Sequence, residues 1–366
     1  MSNIDLHFTG EDWIRLERDW LAWWEGELER PLVLMNGFVL PDKPLPEAHV
    51  FASNFPLEMP AEEVVERFQP YLEATRFYGD SFPTWWPNFG PGVMAGFLGT
   101  EVHSAPDTVW FEPSQAVQIS ELRPSYDPDN LWWKRVKDVT TAAVQRWGAQ
   151  VVVGHTDLGG NLDILASLRT TERLLLDVYD APDEVVRLVG EITHLWLRYY
   201  DELYEIMGQG GRGTAPWAPI WSPRRCYMLQ CDFSYMISPA MFERFVMPDL
   251  AACCDALDHA FYHLDGKGEI PHLDMLLSME RLRGIQWIPG DGAPPPESWL
   301  PLLRRIREGG KLCQLFVTAE GAMTIVRELG GRGFAFQIME LMNQERAAEF
   351  LTALAAADPI AHWTPR

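Results

Sequence analysis

The chain has 366 residues, 47% of them apolar and 22% charged, a composition that can fill a core and argues against a disordered polypeptide; the length fits one barrel-sized domain, residues 1–366, carrying an insertion at about 80–125. A formal charge of −22 repels phosphate backbones and anionic lipid headgroups, and the 30 basic residues form no stripe, which argues against nucleic acid and a membrane as partners and against a highly anionic substrate. Five cysteines, Cys226, Cys231, Cys253, Cys254 and Cys313, are an odd number in a long chain, pointing to reduced thiols in a cytoplasmic protein rather than a disulfide scaffold.

In chain order, the opening stretch MSNIDLHFTGEDW lacks the basic start and apolar core of a signal peptide. Over residues 11–25, Trp13, Leu16, Trp20 and Trp23/Trp24 recur at helical spacing and predict an amphipathic helix whose tryptophans enter the core. The apolar stretch 31–35 follows as a first strand. Residues 80–125 mix proline and glycine with aromatics and close on a hairpin-like turn at 105–107, predicting an insertion folded over the mouth of the domain, with Trp85 and Trp86 available to line a pocket.

Seven further short apolar runs read as buried strands: VVVGHTD at 151–157, PWAPI at 216–220, MLQCD at 228–232, AFYHLD at 260–265, IQWIP at 285–289, KLCQLFV at 311–317 and GFAFQI at 333–338. Helical patterns lie between most of them, such as TTERLLLDVYD, APDEVVRLVGEITHLWLRYYDELYEIM and PPESWLPLLRRIREGG. Eight strands alternating with helices predict an α/β fold, a (β/α)8 TIM barrel with an N-terminal helical segment. No uncharged apolar run approaches the ~18 residues that span a membrane.

Three stretches carry a family resemblance: GHTDLGGNLDILASLRTTERLLLDVYDAPDEVVRLVGEIT at 154–193, FSYMISPAMFERFVMPDL at 233–250, and YHLDGKGEIPHLDMLL followed by GIQWIPGDG within 262–292. The chain resembles the uroporphyrinogen decarboxylase superfamily over most of its length, more closely the corrinoid-linked methyltransferase branch, and in the last block the members called trimethylamine corrinoid proteins of the second type. The resemblance implies a barrel whose pocket opens at the C-terminal ends of its strands. There the polar residues are His155, Asp157, Cys231, Asp232, His263, Asp265, Gln286, Asp291, Cys313, Gln337 and Glu340.

His263 and Asp265 stand out because alternate residues of a strand share a face. In the methyltransferase branch, a His-x-Cys pair at this place and a cysteine on the final strand bind zinc and activate a thiol acceptor. Here Asp265 replaces the first cysteine and GFAFQI has none, so His263, Asp265 and Cys313 become the expected metal set, with zinc and a corrinoid (cobalamin) as the implied cofactors and a corrinoid protein as the implied partner. Catalytic roles are expected for His263, Asp265, Asp157 and Asp232, and substrate contacts for His155, Trp85, Trp86, Gln286, Trp287, Asp291, Gln337 and Glu340. Without a metal, His263 paired with Asp265 would act as a general base.

Tetrapyrrole decarboxylation fits poorly. That branch holds its substrate's carboxylates with an arginine-rich motif after the first strand, where this chain has MNGFVLPDKPLP; Arg224 and Arg225 lie elsewhere. Two other readings remain open: glycoside hydrolysis, using Asp157, Asp232, Asp265, Asp291 and Glu340 with platforms from Trp85, Trp86, Trp217, Trp221 and Trp287, and a barrel that only binds a small molecule. The glycine-rich segments 266–268 and 330–333 read as turns, Asp80 as a turn aspartate, His272 as a capping or packing residue, and Cys253 and Cys254 as packing residues.

Overall fold

A computed structural model describes residues 4–359 and residue 363. Its first helix, α1 (Gly10–Trp24), starts at a capping box in which Thr9 and Asp12 satisfy each other's backbone N–H groups. Eleven strands follow among the described residues: β1 (Leu32–Phe38), β2 (Thr75–Gly79), β3 (Thr84–Trp85), β4 (Glu101–Ala105), β5 (Thr108–Glu112), β6 (Val152–Val153), β7 (Cys226–Leu229), β8 (His259–Asp265), β9 (Leu282–Ile288), β10 (Leu312–Val317) and β11 (Phe334–Ile338). The fold is α/β with a mostly parallel central sheet ordered β2-β1-β11-β10-β9-β8-β7, in which only β2 runs antiparallel to its neighbour. β3 and β6 form a separate parallel pair. No ladder joins that pair to either edge of the large sheet among the described residues, so the expected ring of eight strands does not appear as one closed sheet.

Seven of the eight apolar runs carry a strand. The exception, 216–220, is flanked only by an isolated bridge between Thr214 and Ser222, because Pro216 and Pro219 have no N–H to give a ladder. Residues at the start of the expected insertion also belong to the framework, since Thr84 and Trp85 pair with Val152 and Val153. The hairpin is β4–β5, turning at 106–107. The long helix Pro182–Gly208 begins with proline at its first position, as the pattern predicts, whereas the helical stretch after 238 divides into Pro239–Phe245 and Met247–Ala256.

Strand alternation sorts the side chains into two cores. Val33 and Met35, Tyr227 and Leu229, Tyr262 and Leu264, Cys313 and Leu315 pack outward against the helices. Their alternates, including Leu32, Leu34, Met228, Phe261, Leu312 and Ala335, turn to a second core that also holds Val152, Ala215 and Trp221. The amphipathic face of α1 closes this inner core at the end where the parallel strands begin. Trp20, Trp23 and Trp24 are buried there, and their indole N–H groups donate to the carbonyls of Asp80 (3.2 Å), Phe334 (3.1 Å) and Trp221 (2.9 Å). At the opposite, C-terminal ends of the strands the inner-facing residues become polar. No helix among the described residues is long and apolar enough to cross a membrane.

Candidate functional site

At its C-terminal end β8 presents His263 and Asp265 on the inner face, both half-buried. After β7 the chain enters a 3-10 turn, Asp232–Met236, whose first residue faces them. One ligand-type atom from each of Asp232, His263 and Asp265 lies within 4.8 Å of the others.

The turn is held from outside the strand by Asp163, on helix Asn161–Arg169, whose carboxylate accepts the N–H groups of Asp232 (3.0 Å) and Phe233 (2.7 Å). Gly160 permits this approach, because a Cβ there would lie 2.1 Å from the Gln230 carbonyl oxygen.

His263 is oriented by a chain of inner-facing amides. Its Nδ1 bonds to Gln286 Oε1, and Gln286 Nε2 donates to Gln314 Oε1. In that arrangement Nδ1 donates to the amide oxygen. The ring packs edge-on against Trp217, centroids 5.1 Å apart.

The surroundings are acidic. Burial, then the neighbouring Asp232 and Asp163 carboxylates, pushes Glu269 up to about 10. Burial, with Asp232 as the like charge, pushes Asp157 up to about 7. Burial raises Asp163 and Asp232 as well, each repelled by a further carboxylate, while His263 favours the charged form of Asp232. No Lys or Arg among the described residues pairs with Asp157, Asp163, Asp232, Asp265 or Glu269. Glu269 accepts a bond from the Tyr262 hydroxyl at 3.2 Å through Oε2, but its buried Oε1 has no hydrogen-bond partner. The donor set of one imidazole and two carboxylates suits zinc or a harder divalent ion, and a bound cation would favour the ionised form of the neighbouring acids that burial holds protonated.

The structure brings His263, Asp265, Asp232 and Gln286 together, and Asp157 lies near enough for the Asp232 carboxylate to disfavour its ionised form. It separates the others. Cys313 is fully buried on the outer face of β10, where burial pushes its thiol up to about 12; the inner-facing residue is its neighbour Gln314, so the His/Asp/Cys set does not assemble and Asp232 takes the third place. His155 stacks on Tyr200 at 4.4 Å in the outer layer, and burial holds it down at about 3, hence neutral. Trp287 is buried against Trp299 and Trp221 lies in the inner core, which gives both a packing role, while the half-buried Trp85 packs against Phe68 and Trp147. Trp86 is half-buried beside Gly154.

Both Glu340 oxygens accept the Ala319 N–H at 3.1 Å, at the start of helix Ala319–Leu329, which gives that residue a capping role. Gln337 faces a small cleft with Asn36 and Ser81, and Asp291 is exposed in a cleft shared with Asp265 and Lys267. Arg225 precedes β7, at the far end of the strands from His263, and pairs with Asp201. His272 bonds the Ser234 carbonyl at 2.9 Å and stacks on Phe242, a packing role. Asp80 is no ordinary turn residue, because its buried carboxylate takes both Arg30 amino groups (2.6 and 2.7 Å) and the Val33 N–H (2.8 Å).

Sequence reading missed Asp163, Glu269 and Gln314. Only the last was within its reach, since alternation puts Gln314 on the same face as Gln286 once the two strands are paired.

A methyltransferase from Methanosarcina mazei superposes on 93% of this chain and 97% of its own length, with a TM-score of 0.57 and 12% sequence identity. The two share a fold. No protein-family model matches the chain. No curated protein matches it.

Proposed function

We propose that the chain is a methyltransferase-like enzyme of the uroporphyrinogen decarboxylase superfamily, built as a (β/α)8 barrel, with Asp232, His263 and Asp265 at its centre. The barrel reading is supported by the inner core, which gathers side chains from β1, β6, β7, β8, β10 and β11 around one interior and is floored by α1. The methyltransferase reading draws on the fold it shares with the Methanosarcina protein and on the motif resemblance. The observation that carries the site is the convergence of three ligating groups at the C-terminal ends of the strands, amid carboxylates with no basic partner.

Asp232, His263 and Asp265 would hold the metal, and zinc bound there would supply Lewis acidity that lowers the pKa of a thiol or water. The remaining work belongs to the chain. Gln286 and Gln314 fix the His263 ring, and Asp163 holds the turn that carries Asp232. A corrinoid carrier, on its own or on a corrinoid protein, would meet the centre from the open side lined by Tyr235, Asp265 and Lys267.

Metal analysis of the chelator-treated chain after zinc is offered tests the centre. About one zinc per chain is expected for wild type and for Cys313→Ala, and a loss for His263→Ala and Asp265→Ala. No zinc in the wild type, or zinc that depends on Cys313 and not on Asp265, refutes this centre.

A further inference from the structure

A cleft of about 190 Å³ opens at the seam between β1, β2 and β3, where no ladder joins β3 to the large sheet. Asn36 and Gln337 enter it from the inner face, because Leu34, which pairs with Gln337 and lies two residues before Asn36, belongs to the inner core. Strand spacing and rise set the Cα atoms of the two amide residues about 8 Å apart. In a chain of net charge −22, no Lys, Arg, His, Asp or Glu lines this cleft.

Hydrogen bonds within the walls use most of the side-chain donors. The hydroxyl protons of Thr75, Ser81 and Thr84 go to the Tyr71 carbonyl (2.8 Å), Asn36 Oδ1 and the Val152 carbonyl (3.1 Å). Gln337 Nε2 donates to the carbonyls of Leu34 (3.4 Å) and Ile338 (3.3 Å). Asn36 Nδ2 is left as a donor and Gln337 Oε1 as an acceptor, neither of them bonded to a described residue.

That remainder selects among ligands. An anion would meet one amino group among acceptors, and a cation would give up its hydration with no carboxylate to replace it. A polyol would leave hydroxyls unmet against Leu34, Phe77, Phe82 and Pro219. A carboxamide matches both free groups, since its oxygen accepts from Asn36 and its N–H donates to Gln337.

We propose that this cleft seats an uncharged carboxamide on a small alkyl body, the amide held between Asn36 and Gln337 and the alkyl part on the apolar wall. At roughly 30 Å³ per water the cleft equals about six waters, so about six to eight non-hydrogen atoms enter it. It shares no residue with Asp232, His263 and Asp265, so the inference stands apart from the metal centre.

Ligand-observed NMR titration of the full chain tests it with three probes of equal heavy-atom count: isobutyramide, isobutyrate, and 3-methylbutan-2-one, which keeps the carbonyl and lacks the N–H. Isobutyramide is expected to bind in the millimolar range, roughly tenfold or more tightly than isobutyrate and roughly three- to tenfold more tightly than the ketone. Asn36→Ala and Gln337→Met are each expected to weaken isobutyramide by roughly three- to tenfold. Equal binding of the three probes, no binding of isobutyramide at roughly 50 mM, or amide binding indifferent to both substitutions overturns the proposal. The ranking of the probes is read on the wild-type chain alone, so a variant that fails to fold leaves the test standing.

Discussion

Asp249 offers a measurement free of any assumption about ligands. It lies on helix Met247–Ala256, and its carboxylate gathers three side chains: the Thr193 hydroxyl at 2.9 Å, the Cys253 thiol at 3.6 Å, and the Asn161 amide. The residue is 7% exposed, and burial pushes it from an ordinary 3.8 up to about 7, although the Thr193 and Cys253 bonds pull the other way. At pH 5 the folded chain therefore keeps a proton that the unfolded chain has released, and this favours folding. That advantage fades as pH rises through the folded value and is gone above it.

The two units between pH 5 and 7 correspond to about 2.7 kcal/mol at 1.36 kcal/mol per unit. Asp249→Asn retains an oxygen for Thr193 but cannot titrate. Whatever its fixed cost, the stability difference between wild type and variant should shrink by about that amount between pH 5 and 8.5. With an unfolding entropy near 2.1 cal/mol/K per residue, that is roughly 3–4 °C in the difference of melting temperatures for a chain of this length. Thermal scans of both proteins at matched rates across that range provide the assay. Melting temperatures that move in parallel with pH would refute the reasoning, since they would mean that Asp249 titrates alike in both states.

Two further outcomes follow from the packing. Trp24 is 1% exposed, stacks on His259 at 4.1 Å and donates to Trp221, so Trp24→Ala should cost about 3–5 kcal/mol and lower the melting temperature by roughly 4–6 °C; a fall below one degree would show that α1 is not integral to the fold. Gln286→Leu removes the acceptor that orients His263 and should weaken zinc at least tenfold, typical of a lost supporting bond, with the fold retained by circular dichroism; unchanged affinity in a chelator competition would mean that the ring is placed by Trp217 alone.

What the sequence made legible is what depends on local period. The tryptophans of α1 repeat at helical spacing and are buried as that spacing requires, and the pairing of His263 with Asp265 on one face needs only strand alternation. What it concealed depends on chain segments meeting. Asp163 lies about seventy residues from Asp232, in a helix whose own pattern gives no hint that its carboxylate caps a distant turn. Glu269 sits in a glycine-bearing turn where an exposed acid is the default, yet the turn folds beneath β8 and buries it. Cys313 was expected at the site for its chemistry, and register places it on the wrong face: pairing sets Gln314 opposite Gln286 and thereby turns the thiol outward. The eighth strand failed for a local reason, two prolines, that apolarity masked.

The floor of the inner core has a consequence for how the chain comes off the ribosome. Trp23 of α1 is hydrogen-bonded to Phe334, 311 positions later, and Trp24 to Trp221. The helix emerges early, but its partners come late, so its apolar face has nothing native to cover it through most of synthesis. Contacts of such separation make closure slow and place it near the end of folding. A nascent chain arrested before β11 would therefore expose a tryptophan-rich surface, a target for chaperones and a seed for aggregation.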